Sequence, residues 1–279
     1  MLSASVERRL SMAVSHAAPH SPPRALPPVR HIDSGDLNAA LREGWRDFLA
    51  MRGDLLLVGL LYPIVGLVAA VVSLGGSLIP LFFPIAAGIG FLGPLAAIGF
   101  YELARRREAG LDSGWTHFLD VRKRPAFEDI AVVSGILLSL FTLWVIVAGA
   151  LYVLLWGPTP PPSVGAFLAR LFTTREGWEL IVAGNLVGLG FAVAVMALSV
   201  VSLPMLVDRD TDAGTALATS LAAFGANSAV MIRWGLTVAV LLVLGSIPGF
   251  IGLAVVLPWL GYATWHLYTR LVDRTALPG

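Results

Sequence analysis

The chain has 279 residues, of which 57% are apolar and 13% charged, with a mean hydropathy of +0.80; soluble domains carry about 25% charged residues. A net charge of +1 offers no clustered basic face for nucleic acid. The absence of cysteine excludes disulfides, thiolate metal centres, iron–sulfur clusters and cysteine nucleophiles.

Residues 1–36 hold Pro19, Pro22, Pro23, Pro27 and Pro28 with scattered arginines and no apolar run resembling a signal peptide, which predicts a disordered cytoplasmic tail. Residues 37–273 then form a transmembrane domain, and residues 274–279 a short cytoplasmic tail. A hydrocarbon core about 30 Å thick needs about 20 mostly apolar helical residues. Six stretches qualify: Leu55–Ser73, Ile79–Tyr101, Ile130–Leu155, Leu180–Met205, Ala229–Ile247 and Gly249–Leu271.

The second stretch contains Pro80, Pro84 and Pro94 among several glycines, and a kink is expected near Pro94 because its ring displaces the carbonyl four residues earlier. In the fourth, Gly184, Gly188 and Ala192 make a small-residue face for close helix packing, and Asn185 either bridges helices or lines a cavity. Pro248 and Gly249 predict a tight turn between the last two stretches. Trp156 and Trp178 on one side, and Trp234 and Trp265 on the other, fit the aromatic belts of a membrane protein. Trp144 and Trp259 are placed deeper, between helices.

Lysine and arginine are retained on the cytoplasmic side. Of the 19 basic residues only Arg170 and Arg175 fall in segments assigned outside, so both termini are expected in the cytoplasm. Arg233 and Arg270 lie near the cytoplasmic ends of their spans and can snorkel to the headgroups.

A spacing recurs ahead of the odd-numbered spans: Leu41, Trp45, Phe48; Leu111, Trp115, Phe118; Leu217, Leu221, Phe224. Offsets of four and three put each trio on one helical face, with Arg42, Glu43, Arg46 and Asp47 opposite the first. The fold class is therefore an all-α membrane protein of six transmembrane helices, arranged as three hairpins, each preceded by a short cytoplasmic interfacial helix in a pseudo-threefold repeat. Glu102 and Asp208 precede Leu111 and Leu217 by the same distance, and His266 is placed comparably near the end of the sixth span. These three either mark the membrane boundary or converge as a polar cytoplasmic site.

No HExxH, Walker, G-x-S-x-G or supported dinucleotide motif occurs, and only His266 among the histidines belongs to a span, against a haem or metal centre. Gly88, Gly90 and Gly93 mimic a dinucleotide fingerprint but sit in an apolar span with no preceding strand. Asp208, Asp210 and Asp212 lack the glycine and distal glutamate of a calcium loop; Asp210 or Asp212 is better read as a helix cap. No cofactor, metal or catalytic residue is expected.

The segments Leu198–Asp210, Leu171–Gly177 and Ala263–His266, together with Gly93-Pro94-Leu95, Tyr101-Glu102-Leu103 and Arg106, resemble the bacterial predicted integral membrane proteins grouped as domain of unknown function 2189. The resemblance covers about residues 30–273 and implies a bacterial inner-membrane location. Tyr262 departs from it, standing where the family often has a histidine.

Two classes of function stay open. Scarcity of polar groups within the spans favours a non-enzymatic component of membrane organisation or assembly, whose partners are the lipid bilayer, anionic lipid headgroups and another membrane protein. The alternative is a small-solute transporter or channel with a cavity between the three hairpins.

Overall fold

The structure, a computed structural model, describes residues 26–59, 79–82, 84–85 and 92–276. Residues 1–25 of the expected tail, residues 60–73 of the expected first span, and residues 83 and 86–91 of the second lie outside the described residues, with Gly88 and Gly90 among them. The helices are α1 (Ser34–Gly59), α2 (Gly93–Glu108), α3 (Phe127–Trp156), α4 (Val164–Thr173), α5 (Arg175–Ser199), α6 (Ser202–Asp208), α7 (Ala213–Ala226), α8 (Ser228–Ser246) and α9 (Leu253–Leu271). The described residues contain no strand beyond a single bridge between Val29 and Val272.

Three described stretches are long and apolar enough to cross a bilayer: α3, with a mean hydropathy of 2.6; Arg175–Asp208, which joins α5 and α6, with 2.4; and α8, with 1.9. Only 22%, 39% and 17% of their most apolar windows are buried inside the protein. On α3 the residues Ile130, Val133, Leu137, Trp144, Ala148, Tyr152 and Trp156 turn inward along one stripe, while Leu138, Ile146 and Leu154 are exposed. Apolar surface costs about 25 cal/mol per Å² in water, so outward faces of this kind require lipid as their solvent.

Helix α9 coincides with the end of the expected sixth span, yet it is buried on nearly every side, the pattern of a central helix. It lies between α1 and α2. A Cβ on Gly44 of α1 would come within 2.5 Å of the Ala263 backbone nitrogen, and one on Gly261 of α9 within 2.8 Å of Phe100 Cβ on α2. Glycine at both crossings lets the helices meet backbone to side chain.

The expected turn before α9 is present: Phe250 N donates to Ser246 O at 3.0 Å, with Gly249 and Phe250 at φ of 62° and 67°. Two local expectations need correction. Pro94 does not kink a continuous helix; it occupies the first turn of α2, where its fixed φ suits helix initiation and its missing N–H leaves no carbonyl unpaired. The fourth span is also not continuous, because the chain breaks between Ser199 and Ser202 before resuming as buried α6. Ser220 of α7 mends that break, donating to Ala197 O at 2.7 Å and accepting from Val201 N at 3.2 Å.

Candidate functional site

Charged side chains collect where α2, α6 and α9 end. Glu102, facing inward on α2, is 1% exposed. One turn on, Arg105 binds it through two bonds, Nε to Oε2 at 2.9 Å and a terminal nitrogen to Oε1 at 2.6 Å; this paired geometry is the strong form of an arginine–carboxylate contact. The Glu102 bond holds Arg105 above its usual range despite partial burial.

Asp208 closes α6. Its Oδ2 accepts from the Tyr268 hydroxyl at 2.9 Å and lies 3.3 Å from Arg209 and 3.6 Å from Arg274. Its backbone carbonyl accepts from Arg124 at 3.1 Å. Burial, then repulsion from Arg105, pulls Arg124 below the ordinary arginine range, which places both guanidinium groups in one neighbourhood. Arg274 also binds Glu108, whose second oxygen accepts from Trp265 Nε1 at 3.0 Å. Burial pushes Glu108 up, but its bonds to Arg274 and Trp265 outweigh that and hold it below the usual carboxylate range.

His266 belongs to the adjoining part of the layer, between α9 and α1. Its Nε2 lies 2.7 Å from Asp47 Oδ2 and its Nδ1 3.3 Å from Glu43 Oε2. Asp47 also accepts from Arg107 at 2.8 Å, and Glu43 from Arg270 at 2.7 Å. That Arg270 bond is the largest influence holding Glu43 below its usual value.

The three singled-out groups therefore fall in one polar layer. Glu102 and Asp208 share the Arg105 and Arg124 neighbourhood, whereas His266 connects through Glu43 and Asp47. Their partners were missed in the sequence, although a signal was present: Glu43 and Asp47 are four apart on α1, and His266 and Arg270 four apart on α9, so each pair forms one stripe. Arg270 is drawn into an ion pair by this match instead of reaching outward alone.

The recurrent trios divide. Leu41, Trp45 and Phe48 lie on α1, and Leu217, Leu221 and Phe224 on α7. Leu111, Trp115 and Phe118 are not on an α-helix: the chain turns at Gly110, with φ of 68°, Asp112 accepts from Gly114 N at 3.1 Å, and a 3-10 turn covers Trp115–His117. That side-chain bond offers the backbone an alternative to helix. The trios also differ in exposure, for Phe48 is buried while Trp45, Leu111, Trp115 and Leu221 are exposed.

Within this loop His117 sits between two carboxylates, Nδ1 2.7 Å from Asp120 and Nε2 3.0 Å from Asp112. Asp120 and then Asp112 raise His117 above its ordinary value. Lys123 first, then His117, lower Asp120 to about 2.

Other expected residues resolve locally. Asp212 caps α7, accepting from Thr215 N at 2.8 Å. A Cβ on Gly188 would touch Trp144 of α3 at 3.1 Å, whereas one on Gly184 would meet no described atom within 4 Å; Ala192 packs against the core. Asn185 donates to Ile181 O of its own helix at 2.8 Å and makes no bond to another helix among the described residues. Trp144 is buried and Trp259 donates to Leu41 O at 2.9 Å, both between helices as expected. Trp234 and Trp265 are core residues instead of a belt, since Glu108 satisfies the Trp265 N–H inside the protein.

The segment Leu171–Gly177 is a corner joining α4, which periodicity did not reveal, to α5. Thr174 donates to Arg170 O at 2.7 Å and accepts from Gly177 N at 3.0 Å. A Cβ on Gly177 would approach Leu171 O to 2.2 Å, so only glycine fits.

Comparison with protein families matches residues 82–208 to the family described as Predicted integral membrane protein (DUF2189). The match takes in the α4–α5 corner and the α5–α6 break but is shorter than the expected 30–273 and ends before Ala263–His266. No curated protein and no solved structure matches the chain. Residues 82–208 are thus similar to the predicted integral membrane proteins of the DUF2189 family.

Proposed function

We propose that this is a multi-pass protein of a bacterial inner membrane, crossing it six times as three hairpins with both termini cytoplasmic, and that it organises or helps assemble that membrane without catalysing a reaction. The outward apolar faces of α3, α5 and α8 support the bilayer setting. The bridge from Val29 to Val272 supports an even number of crossings, because it joins the segments flanking the first and last helices. The concentration of arginine around the polar layer supports its cytoplasmic placement.

The observation that carries the functional reading is the self-sufficiency of the polar layer. Glu102, Asp208 and His266 spend their polar atoms on arginine, tyrosine and carboxylate neighbours, which is the arrangement of a fastening and not of a group held ready for a solute. Full-length protein reconstituted into vesicles is expected to pass no small solute above the rate of protein-free vesicles, and to recover a defined membrane-protein or lipid partner when purified in mild detergent. Flux that falls on Glu102→Gln or Asp208→Asn while the protein remains folded would overturn this reading in favour of transport.

A further inference from the structure

Helix α1 presents three different stripes. Leu37, Ala40, Gly44 and Phe48 are buried, with Gly44 against the backbone of α9. Asp36, Glu43 and Asp47 form the second stripe, facing Arg270, His266 and Arg107, so these three acids are already matched. The third stripe is Arg42, Trp45, Arg46 and Leu49, at offsets of three, four and seven that place them on one face. All four are exposed, Trp45 at 37% and Leu49 at 41%, and neither arginine has a carboxylate partner among the described residues.

The sequence reading grouped Arg42 and Arg46 with Glu43 and Asp47 on one polar side. In the structure Glu43 and Asp47 turn inward and the two arginines outward, leaving positive charge without a described carboxylate partner beside exposed Trp45. Trp45 leans edge-on against Trp259, with ring centroids 5.0 Å apart, which fixes its position while one side stays free. Beyond Leu49 the helix passes Arg52 and Asp54 and then enters the apolar run Leu55-Leu56-Leu57-Val58, so the stripe lies within two turns of the point where the chain becomes lipid-soluble. The turn Trp115–His117 packs beside α1 and adds exposed Trp115.

We infer that the Arg42–Trp45–Arg46–Leu49 stripe binds anionic phospholipid headgroups of the cytoplasmic leaflet, the guanidinium groups on phosphate and the Trp and Leu side chains at the boundary with the acyl chains. Arginine matches phosphate through paired donors, and tryptophan settles where one end is apolar and the other wet. The inference rests on the bilayer placement proposed above and names the lipid class that this placement engages.

The test is native mass spectrometry of the full-length protein in detergent, titrated in parallel with phosphatidylglycerol and phosphatidylcholine. Retention of phosphatidylglycerol is expected to exceed that of phosphatidylcholine and to weaken about fivefold for each arginine removed in Arg42→Gln and Arg46→Gln. Arg175→Gln, at the far end of α5, is expected to leave it unchanged. Equal retention of the two lipids, or an unchanged preference in a folded double variant, would overturn the inference. Full displacement of phosphatidylglycerol by millimolar inorganic phosphate would also overturn it, by showing a free-anion site. If the double glutamine variant does not fold, salt titration of the native sequence decides: the preference must fall with ionic strength, and salt independence refutes it. Solute flux tests the organising role separately, so the two can fail independently.

Discussion

Where α2, α6 and α9 end, the bundle is fastened by charge: Glu102 on Arg105, Asp208 on Tyr268 and Arg274, His266 among carboxylates. At the far end of α3 the fastening is aromatic. Tyr152, Trp156, Phe167, Leu171 and Ile79 form a separate small core, in which the Trp156 ring lies tilted against Tyr152 at 5.6 Å and against Phe167 at 5.5 Å, with Arg170 4.3 Å above it. Charge fastening is intolerant, because removing one partner strands the other in a poorly solvated place. Aromatic fastening degrades gradually, since each ring loses only part of its contact area.

The largest effect should come from Glu102→Gln, which strands Arg105 and is expected to cost about 3–5 kcal/mol, read as a loss of thermal stability in detergent. Replacing Glu102 and Arg105 together by leucine should cost clearly less, and a double loss equal to the single would break the contrast. Next, Gly44→Val must force α1 from α9 and is expected to cost about 3 kcal/mol. Gly184→Val, which meets no described neighbour within 4 Å at its Cβ, is expected to stay within about 0.5 kcal/mol in the same assay.

A smaller effect is predicted for pH. His117 has a raised folded-state pKa, so its contribution is complete below the unfolded value of about 6.5 and is lost as pH rises through the folded value. Asp120 is lowered to about 2, so its contribution is present above about 4 and disappears as pH falls toward 2. Protease cleavage of the 111–124 loop should therefore be slowest between those limits, and His117→Gln should flatten the alkaline side. Smallest of all, Arg170→Gln removes a cation–ring contact worth about 0.5–1 kcal/mol. If it destabilises as much as Glu102→Gln, the two ends are not fastened differently.

How much of this was legible follows the same division. Long apolar runs announced α3, α5 and α8 because bilayer thickness imposes a length that composition alone reveals. The turn at Pro248 and the cap at Asp212 were readable because each depends on the nearest few residues. The break at Ser199–Ser202 was hidden, since the serine that mends it, Ser220, is about 20 residues away. Glu102, Asp208 and His266 could be singled out as polar groups at the ends of apolar runs, but their partners depend on which helices cross, and that is set by Gly44, Gly261 and the route of α9. The Leu111 trio misled because its spacing is helical while Gly110 and the Asp112 turn are not.

Asn227, at the junction of α7 and α8, accepts from Ile32 N at 2.9 Å and donates to Arg30 O at 3.1 Å, while Val29 pairs with Val272. During synthesis the stretch around Val29 leaves the ribosome well before the groups that receive it. The segment around Val29 therefore stays unmatched until Asn227 and Val272 have been made, 195 residues or more later. A chain halted before Val272 would keep its apolar helices yet leave that latch undone.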